Sequence, residues 1–287
     1  MVKWYARHAD LTGATAVYAL ANLSTTNATV ESVKVPAGYG HLKYLTASIC
    51  VDAGLTADVG NIFVVKLGGD AMENGDQEII IGALQFQETA TSVVETVGTK
   101  IPFILPTNVW LKEGNPIDVS IAYQGTDIGS PVVSIGLGLE RGRGGRPLQY
   151  RSRFDSVTQA TDTYVSLETK ADGGTGSFDI PKMSSFIPRA LFCNIYNANA
   201  ATAPNGNNFV FKLGGDAVGS SEQEILGGSL QFEEGGGTVT AGSFTLANPA
   251  VVPVEVPVTG GNSLDAQAAY KGTDGGTQFV GLTLELA

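Results

Sequence analysis

The sequence predicts an all-β protein of two tandem eight-stranded jelly-roll or β-sandwich domains, and three observations carry that reading. The chain repeats itself at half its length. Each half alternates apolar and polar residues between clusters of Gly, Pro, Asn and Asp. No window of 11 or more residues carries an apolar stripe of helical period.

The repeat is clearest between Asn61–Glu88 and Asn207–Glu234, where 17 of 28 positions are identical without gaps at an offset of 146. Ala122–Asp127 recurs as Ala269–Asp274, and Tyr5 and Asp10 match Tyr150 and Asp155. This predicts a first domain over 1–145 and a second over 146–287. In order, the expected strands of the first half are Ala14–Leu23, Thr29–Ala37, His41–Ala53, Asn61–Gly69, Gln77–Thr89, Ser92–Pro106, Asn115–Gly125 and Pro131–Glu140. Those of the second are Thr161–Thr169, Gly176–Pro181, Arg189–Ala198, Asn208–Gly215, Gln223–Glu234, Gly237–Pro257, Asn262–Gly272 and Thr277–Ala287. Eight short strands in roughly 140 residues suit two packed sheets. Prolines within these stretches, such as Pro106 and Pro253, should mark edges or bulges, because proline cannot donate to a ladder.

Composition narrows the class further. The 37 Gly and 12 Pro among 287 residues exclude a coiled coil, and Gly without a three-residue period excludes a collagen-like chain. At 43% hydrophobic the chain is too apolar for disorder. No stretch reaches the ~18 apolar residues of a membrane helix. Met1 leads into polar sequence rather than the apolar run of a signal peptide, so synthesis in a reducing cytoplasm is expected.

Catalytic signatures are lacking, and no enzyme is expected. His8 and His41 have no counterpart in the other half and read as surface or subunit-contact residues. Cys50 and Cys193 occupy similar places in the third strand of each half and read as two core thiols. The repeated Lys66–Asp70 and Lys212–Asp216 read as turns, since a glycine pair permits positive φ and Asp closes a turn through its side chain. The alternative there is an oxygen-ligand calcium site, with Asp70 beside Glu73, Asp76 or Glu78, and Asp216 beside Glu222 or Glu224. No other cofactor is implied. Trp4 and Trp110 are unpaired between halves, whereas Tyr123 and Tyr270 recur, either as buried strand-closing residues or as stacking platforms for a sugar.

Charge is unevenly placed. Residues 1–140 carry a net −7 and residues 154–287 a net −9, while Arg141, Arg143, Arg146, Arg151 and Arg153 contribute +5 between them. These arginines either pair with acidic faces of the same or a neighbouring subunit, or contact nucleic acid or anionic lipid. Counting strands as up-and-down neighbours places the amino terminus, this junction, the carboxyl terminus and both Gly-Gly-Asp turns at one end of the molecule.

Two similar eight-stranded halves without catalytic residues resemble the double jelly-roll major capsid proteins of tailless icosahedral DNA viruses, the adenovirus-like lineage. The resemblance rests on the 146-residue repeat and the strand count. It implies a self-assembling shell subunit of the virion that forms pseudo-hexameric homotrimers. The Arg-rich base would face the particle interior, toward membrane lipid or genome DNA, and other capsid proteins would be further partners. Short outer connections imply a member without towers. Two alternatives from other classes stay open: a tandem lectin-like or carbohydrate-binding surface module, with calcium as an optional ligand, and a minor virion spike or turret protein. A cupin-like metalloenzyme would need more histidines than two.

Overall fold

The computed structural model describes residues 1–11, 18–21, 32–51, 59–88, 94–97, 103–125, 131–157, 163–182, 188–197, 205–220, 222–232, 250–254, 256–272 and 278–287. The described residues contain strands and turns but no helix. The amino-terminal half carries β1 (Val2–Asp10), β2 (Ala19–Leu20), β3 (Val33–Lys34), β4 (Tyr39–Val51) and β5 (Val59–Gly68). It continues with β6 (Gln77–Glu88), β7 (Val94–Val97), β8 (Phe103–Trp110), β9 (Pro116–Gly125) and β10 (Pro131–Arg141). The carboxyl-terminal half carries β11 (Gln149–Val157), β12 (Val165–Ser166), β13 (Phe178–Asp179), β14 (Pro188–Asn197) and β15 (Asn205–Gly214). β16 (Gln223–Phe232), β17 (Ala250–Pro253), β18 (Ser263–Gly272) and β19 (Gln278–Leu286) complete it.

The protein is all-β, built of antiparallel sheets packed as sandwiches. The first half forms one sheet in the order β1-β10-β4-β8 and a second in the order β2-β9-β5-β6-β7, with β3 also on β9. The second half forms β11-β19-β14-β17 and β12-β18-β15-β16, with β13 also on β18. In both halves the first strand pairs with the last. That is jelly-roll connectivity, and it replaces the up-and-down order assumed from the sequence. Pro106 and Pro253 sit on the edge strands β8 and β17, where a missing donor costs least.

Two strands had no sequence expectation: β1 and its counterpart β11. Both are rich in charged and polar residues, so the apolar alternation that marks the other strands is diluted. The Ser92–Pro106 stretch divides into β7 and β8, and the Gly237–Pro257 stretch yields β17 within its described part. The Gly-Thr-Asp turns after Tyr123 and Tyr270 run into residues outside the described ones.

Each half has its own core. Leu42, Leu45, Phe63, Val65, Ile121 and Leu137 lie in the first, and Tyr150 and Ala287 reach back from the second half to complete it. Phe209, Phe211, Leu264, Val280 and Leu282 lie in the second. A third cluster joins the halves. Ile62, Val64, Ile80, Ala83 and Ala122, on the outer face of the β9-β5-β6 sheet, are buried with Phe154 and Ala171 of the second half. Strands β5 and β6 are therefore apolar on both faces, which explains the unbroken runs Ile62–Val65 and Ile79–Ile81.

The Gly-Gly turns adopt the expected left-handed conformation, with φ of +89° at Gly69 and +88° at Gly215. A Cβ at Gly215 would also lie 2.9 Å from the Asp265 carboxylate and 3.0 Å from its backbone nitrogen. Gly215→Ala should therefore lose about 1–3 kcal/mol in urea unfolding. Gly38→Ala, at φ +80° with open space around it, should lose less, so equal losses at both sites would refute the clash as the cause.

Candidate functional site

The seam between the halves holds a dense group of charged side chains. Lys66 of β5 pairs with Asp76, just before β6, at 2.9 Å and lies over the Tyr18 ring at 5.4 Å, while the Tyr18 hydroxyl donates to Glu78 of β6 at 3.3 Å. Strand β11 covers this cluster. The Ser152 hydroxyl donates to the Glu78 carbonyl at 3.0 Å, Arg151 donates to the Asp76 carbonyl, and Arg153 stands 3.9 Å from the Glu78 carboxylate. A cavity of about 290 Å³ remains between them, lined by Lys66, Asp76, Glu78, Arg151, Lys170 and Asp179 among others. Burial lowers the pKa of both guanidinium groups, against the raising effect of Glu78 and its acidic neighbours. Burial and then Glu78 push the Tyr18 phenol up. The lining holds both acids and bases, and the contacts of Arg151, Ser152 and Arg153 with Asp76 and Glu78 tie the two halves together.

The arginine cluster that is continuous in sequence is thus divided in space. Arg141 lies over the Tyr39 ring at 5.7 Å, and Arg143 pairs with Glu73 and lies over Trp110 at 5.1 Å. Arg141, Arg143 and Arg146 are exposed. They share one end of the first sandwich with the amino terminus, because Val2 pairs with Glu140 and Tyr39 with Arg141. Lys3 and Lys34 border a groove at this end, with Tyr5, Pro36 and Glu113. Arg153, by contrast, is 3% exposed, and Arg151 is half-buried in the seam. Alternation along β11 directs these two inward, which takes Arg153 out of reach of an external partner.

The other candidate residues fall as follows. Asp76 takes Lys66 and Glu222 takes Lys212, each at 2.9 Å, while Asp70 and Asp216 are exposed at their turns. Among the described residues no three metal-ligating side chains converge, so the calcium candidates do not come together as a site. His41 is buried rather than on the surface: its Nδ1 donates to the Gly142 carbonyl at 3.1 Å, and Nε2 is 3.4 Å from Glu140. His8 is half-buried, with Nδ1 2.6 Å from the Ser134 hydroxyl. Cys50 is an exposed free thiol, because it alternates with buried Ile49 on β4; the Cys193 side chain lies outside the described residues. Tyr123 and Tyr270 are buried against Phe63 and Phe209, which removes them as sugar platforms.

What remains open is a sheet face. On the outer side of β1-β10-β4-β8, Trp4 is 51% and Ile104 59% exposed, beside exposed Ala6 and Pro106. Register sets these in two rows, Trp4, Gly138, Tyr44 and Pro106 in one and Ala6, Gly136, Thr46 and Ile104 in the next. Trp4 stacks on Tyr44 at 5.8 Å across Gly138, where a Cβ would lie 3.0 Å from the indole.

No protein-family model matches the chain, and no curated protein matches it in sequence. Among solved structures it is similar to PNGF-II, at 9% identity and a TM-score of 0.36, covering 98% of this chain and 65% of that one. It is also similar to the infectious bursal disease virus VP2 subviral particle, at 9% identity and a TM-score of 0.24, over 100% of this chain and 71% of that one. The CBM22-1-CBM22-2 tandem domain of Paenibacillus barcinonensis Xyn10C gives 9% identity and a TM-score of 0.19, over 98% and 93% of the two chains. The chain spans about 65% of the length of PNGF-II. These are distant resemblances among β-sandwich proteins.

Proposed function

We propose that the chain is a structural virion protein, a self-assembling shell subunit of two jelly-roll domains related by duplication, three copies of which form a pseudo-hexameric trimer. The observation that carries this reading is the open apolar face around Trp4, Tyr44, Ile104 and Pro106. A continuous apolar patch on a folded chain marks an interaction surface. A flat, hydrogen-bonded sheet face offers shape complementarity without rearrangement.

The end bearing Lys3, Arg141, Arg143 and Arg146 faces the particle interior, where anionic lipid or genome DNA lies. Many weak charge contacts across a shell add up through multivalency. Synthesis is cytoplasmic, and the working location is the virion, among other capsid proteins. The chemistry is assembly, with no substrate turned over. The carbohydrate-binding alternative loses its tyrosine platforms to the two cores.

Size-exclusion chromatography with light scattering, followed by negative-stain imaging, tests the proposal. Trimers of six-lobed outline are the expected result. A chain that stays strictly monomeric at high concentration overturns it.

A further inference from the structure

At the end of the first sandwich that carries the linker, a groove of about 550 Å³ opens between its two sheets. One wall is β1. Lys3 and Tyr5 lie opposite Leu139 and Leu137 in the ladder, so both stand on the core side of that strand. Tyr5 packs against the core, and the Lys3 ammonium lies over its ring at 5.2 Å. The other wall is the segment that follows β3. Val35 donates its N–H to the Asn115 carbonyl at 3.0 Å, and Gly114 donates to the Val35 carbonyl at 2.9 Å. Both walls are held by backbone hydrogen bonds, so the groove is preformed, and its volume is that of a small-molecule site.

The groove is apolar inside and cationic at its rim. Tyr5, Val35, Pro36 and Ala37 supply the floor, and exposed Lys3 and Lys34 supply the charge. Neither lysine makes an ion pair among the described residues. Glu113, the acid in the lining, accepts the Gly38 N–H at 2.8 Å. These features are not part of the repeat. In the matching ladders of the second half Gln149 and Arg151 stand where Lys3 and Tyr5 do, and Asp179 stands where Lys34 does. Gln149 is buried, and Arg151 is held by the Asp76 and Tyr150 carbonyls. Lysines over an apolar floor therefore belong to the first half alone.

An occupant must answer both parts. A nucleic acid would meet the lysines with its phosphates but leave the apolar floor unfilled. Its charge would also run on past this end, along a chain of net charge −11. An anionic lipid answers both. Its phosphate suits the ammonium groups, and its acyl chain leaves water against the apolar floor.

We infer that this groove takes one anionic lipid from a bilayer beneath the first sandwich. The phosphate sits at Lys3 and Lys34, and an acyl chain runs along Tyr5, Val35, Pro36 and Ala37. The inference rests on the shell-subunit reading, which turns this end toward the particle interior, and it names lipid rather than DNA as what the end meets there. Arg141 and Arg143, over the Tyr39 and Trp110 rings, extend the cationic surface toward neighbouring headgroups. The groove gives each copy one specific contact, and the number of copies in a shell multiplies it.

The test is flotation of the full chain with vesicles of phosphatidylcholine containing about 30 mol% phosphatidylglycerol, against phosphatidylcholine alone. The chain should float with the anionic vesicles only. Lys3→Ala and Lys34→Ala should each weaken binding about fivefold. Ala37→Glu, which sets a carboxylate at the lip of the apolar floor, should weaken it by about tenfold or more. All three positions are exposed, so thermal unfolding should match wild type. Dihexanoyl phosphatidylglycerol below its micelle concentration should raise the melting temperature, and glycerol phosphate at the same concentration should not. Equal effects of the two would reduce the groove to a phosphate contact and overturn the inference. Vesicle binding that the three variants leave unchanged would overturn it too, as would binding to duplex DNA in place of anionic vesicles. A chain that assembles but does not bind lipid sinks the groove and leaves the shell reading standing. A chain that binds lipid through the groove yet stays monomeric does the reverse.

Discussion

Phe154→Ala should destabilise the protein by about 3–5 kcal/mol, the cost of emptying a fully buried aromatic site. The ring packs on Gly281 and fills the seam with Ile62, Val64, Ile80, Ala83 and Ala122. Collapse into that space is limited, because Gly281 offers no side chain and the backbone on both sides is held by ladders. The two halves retain separate cores of their own. Coupled through the seam, the wild-type chain should unfold in one calorimetric transition, and loss of the seam should split it into two. A variant that unfolds in one transition within about 1 kcal/mol of wild type would show that the seam contributes little to coupling.

Arg153→Met should cost a similar amount, about 3–5 kcal/mol, as expected when one member of a buried charged network is removed. The guanidinium donates to the Gly176 carbonyl at 2.6 Å, to the Ser177 carbonyl at 2.9 Å and to the Ser152 carbonyl at 2.7 Å. It lies over the Phe178 ring at 4.8 Å. Methionine preserves much of the stem volume but leaves those carbonyls without this donor and Glu78 without one of its two neighbouring guanidinium charges. Arg146→Met, at an exposed position of the same sequence cluster, should stay within about 0.5 kcal/mol of wild type. Urea midpoints for the two variants separate the roles directly. Equal losses would mean that the five arginines act as one unit, contrary to their division between seam and surface.

Much of the fold was legible because burial alternates wherever one face of a strand meets a core. Residues 133–139 read cleanly from sequence for that reason, within the expected strand Pro131–Glu140 and with Val133, Ile135, Leu137 and Leu139 inward. β1 and β11 did not, because their side chains serve two environments. Arg151 and Arg153 are polar yet withdrawn into a charged seam, while Trp4 is apolar yet exposed. Alternation then carries no single hydrophobic signal.

A signal for the different surroundings of the two halves was present in the repeat itself. Ile62 and Ala83 of the first half become Asn208 and Ser229 in the second, at otherwise matching positions. The first pair is buried in the seam, and Asn208 is exposed. Differences between repeats therefore mark where the two halves meet different surroundings. Conversely, His41 read as a surface or subunit-contact residue, and Tyr123 and Tyr270 as either buried or stacking on a sugar; the ladders turn all three inward.

The sequence alone determined the all-β class, the position of most strands and the left-handed turns at Gly69 and Gly215. These depend on local chemistry: side-chain alternation, proline's missing donor and glycine's access to positive φ. Only the tertiary structure decided that the first strand of each half pairs with the last, that Arg151 and Arg153 part from Arg141, Arg143 and Arg146, and that Ile80 is covered while Leu226 is not. Those outcomes depend on which sheet face meets which. Packing between residues seventy or more positions apart sets that, and no local pattern encodes it.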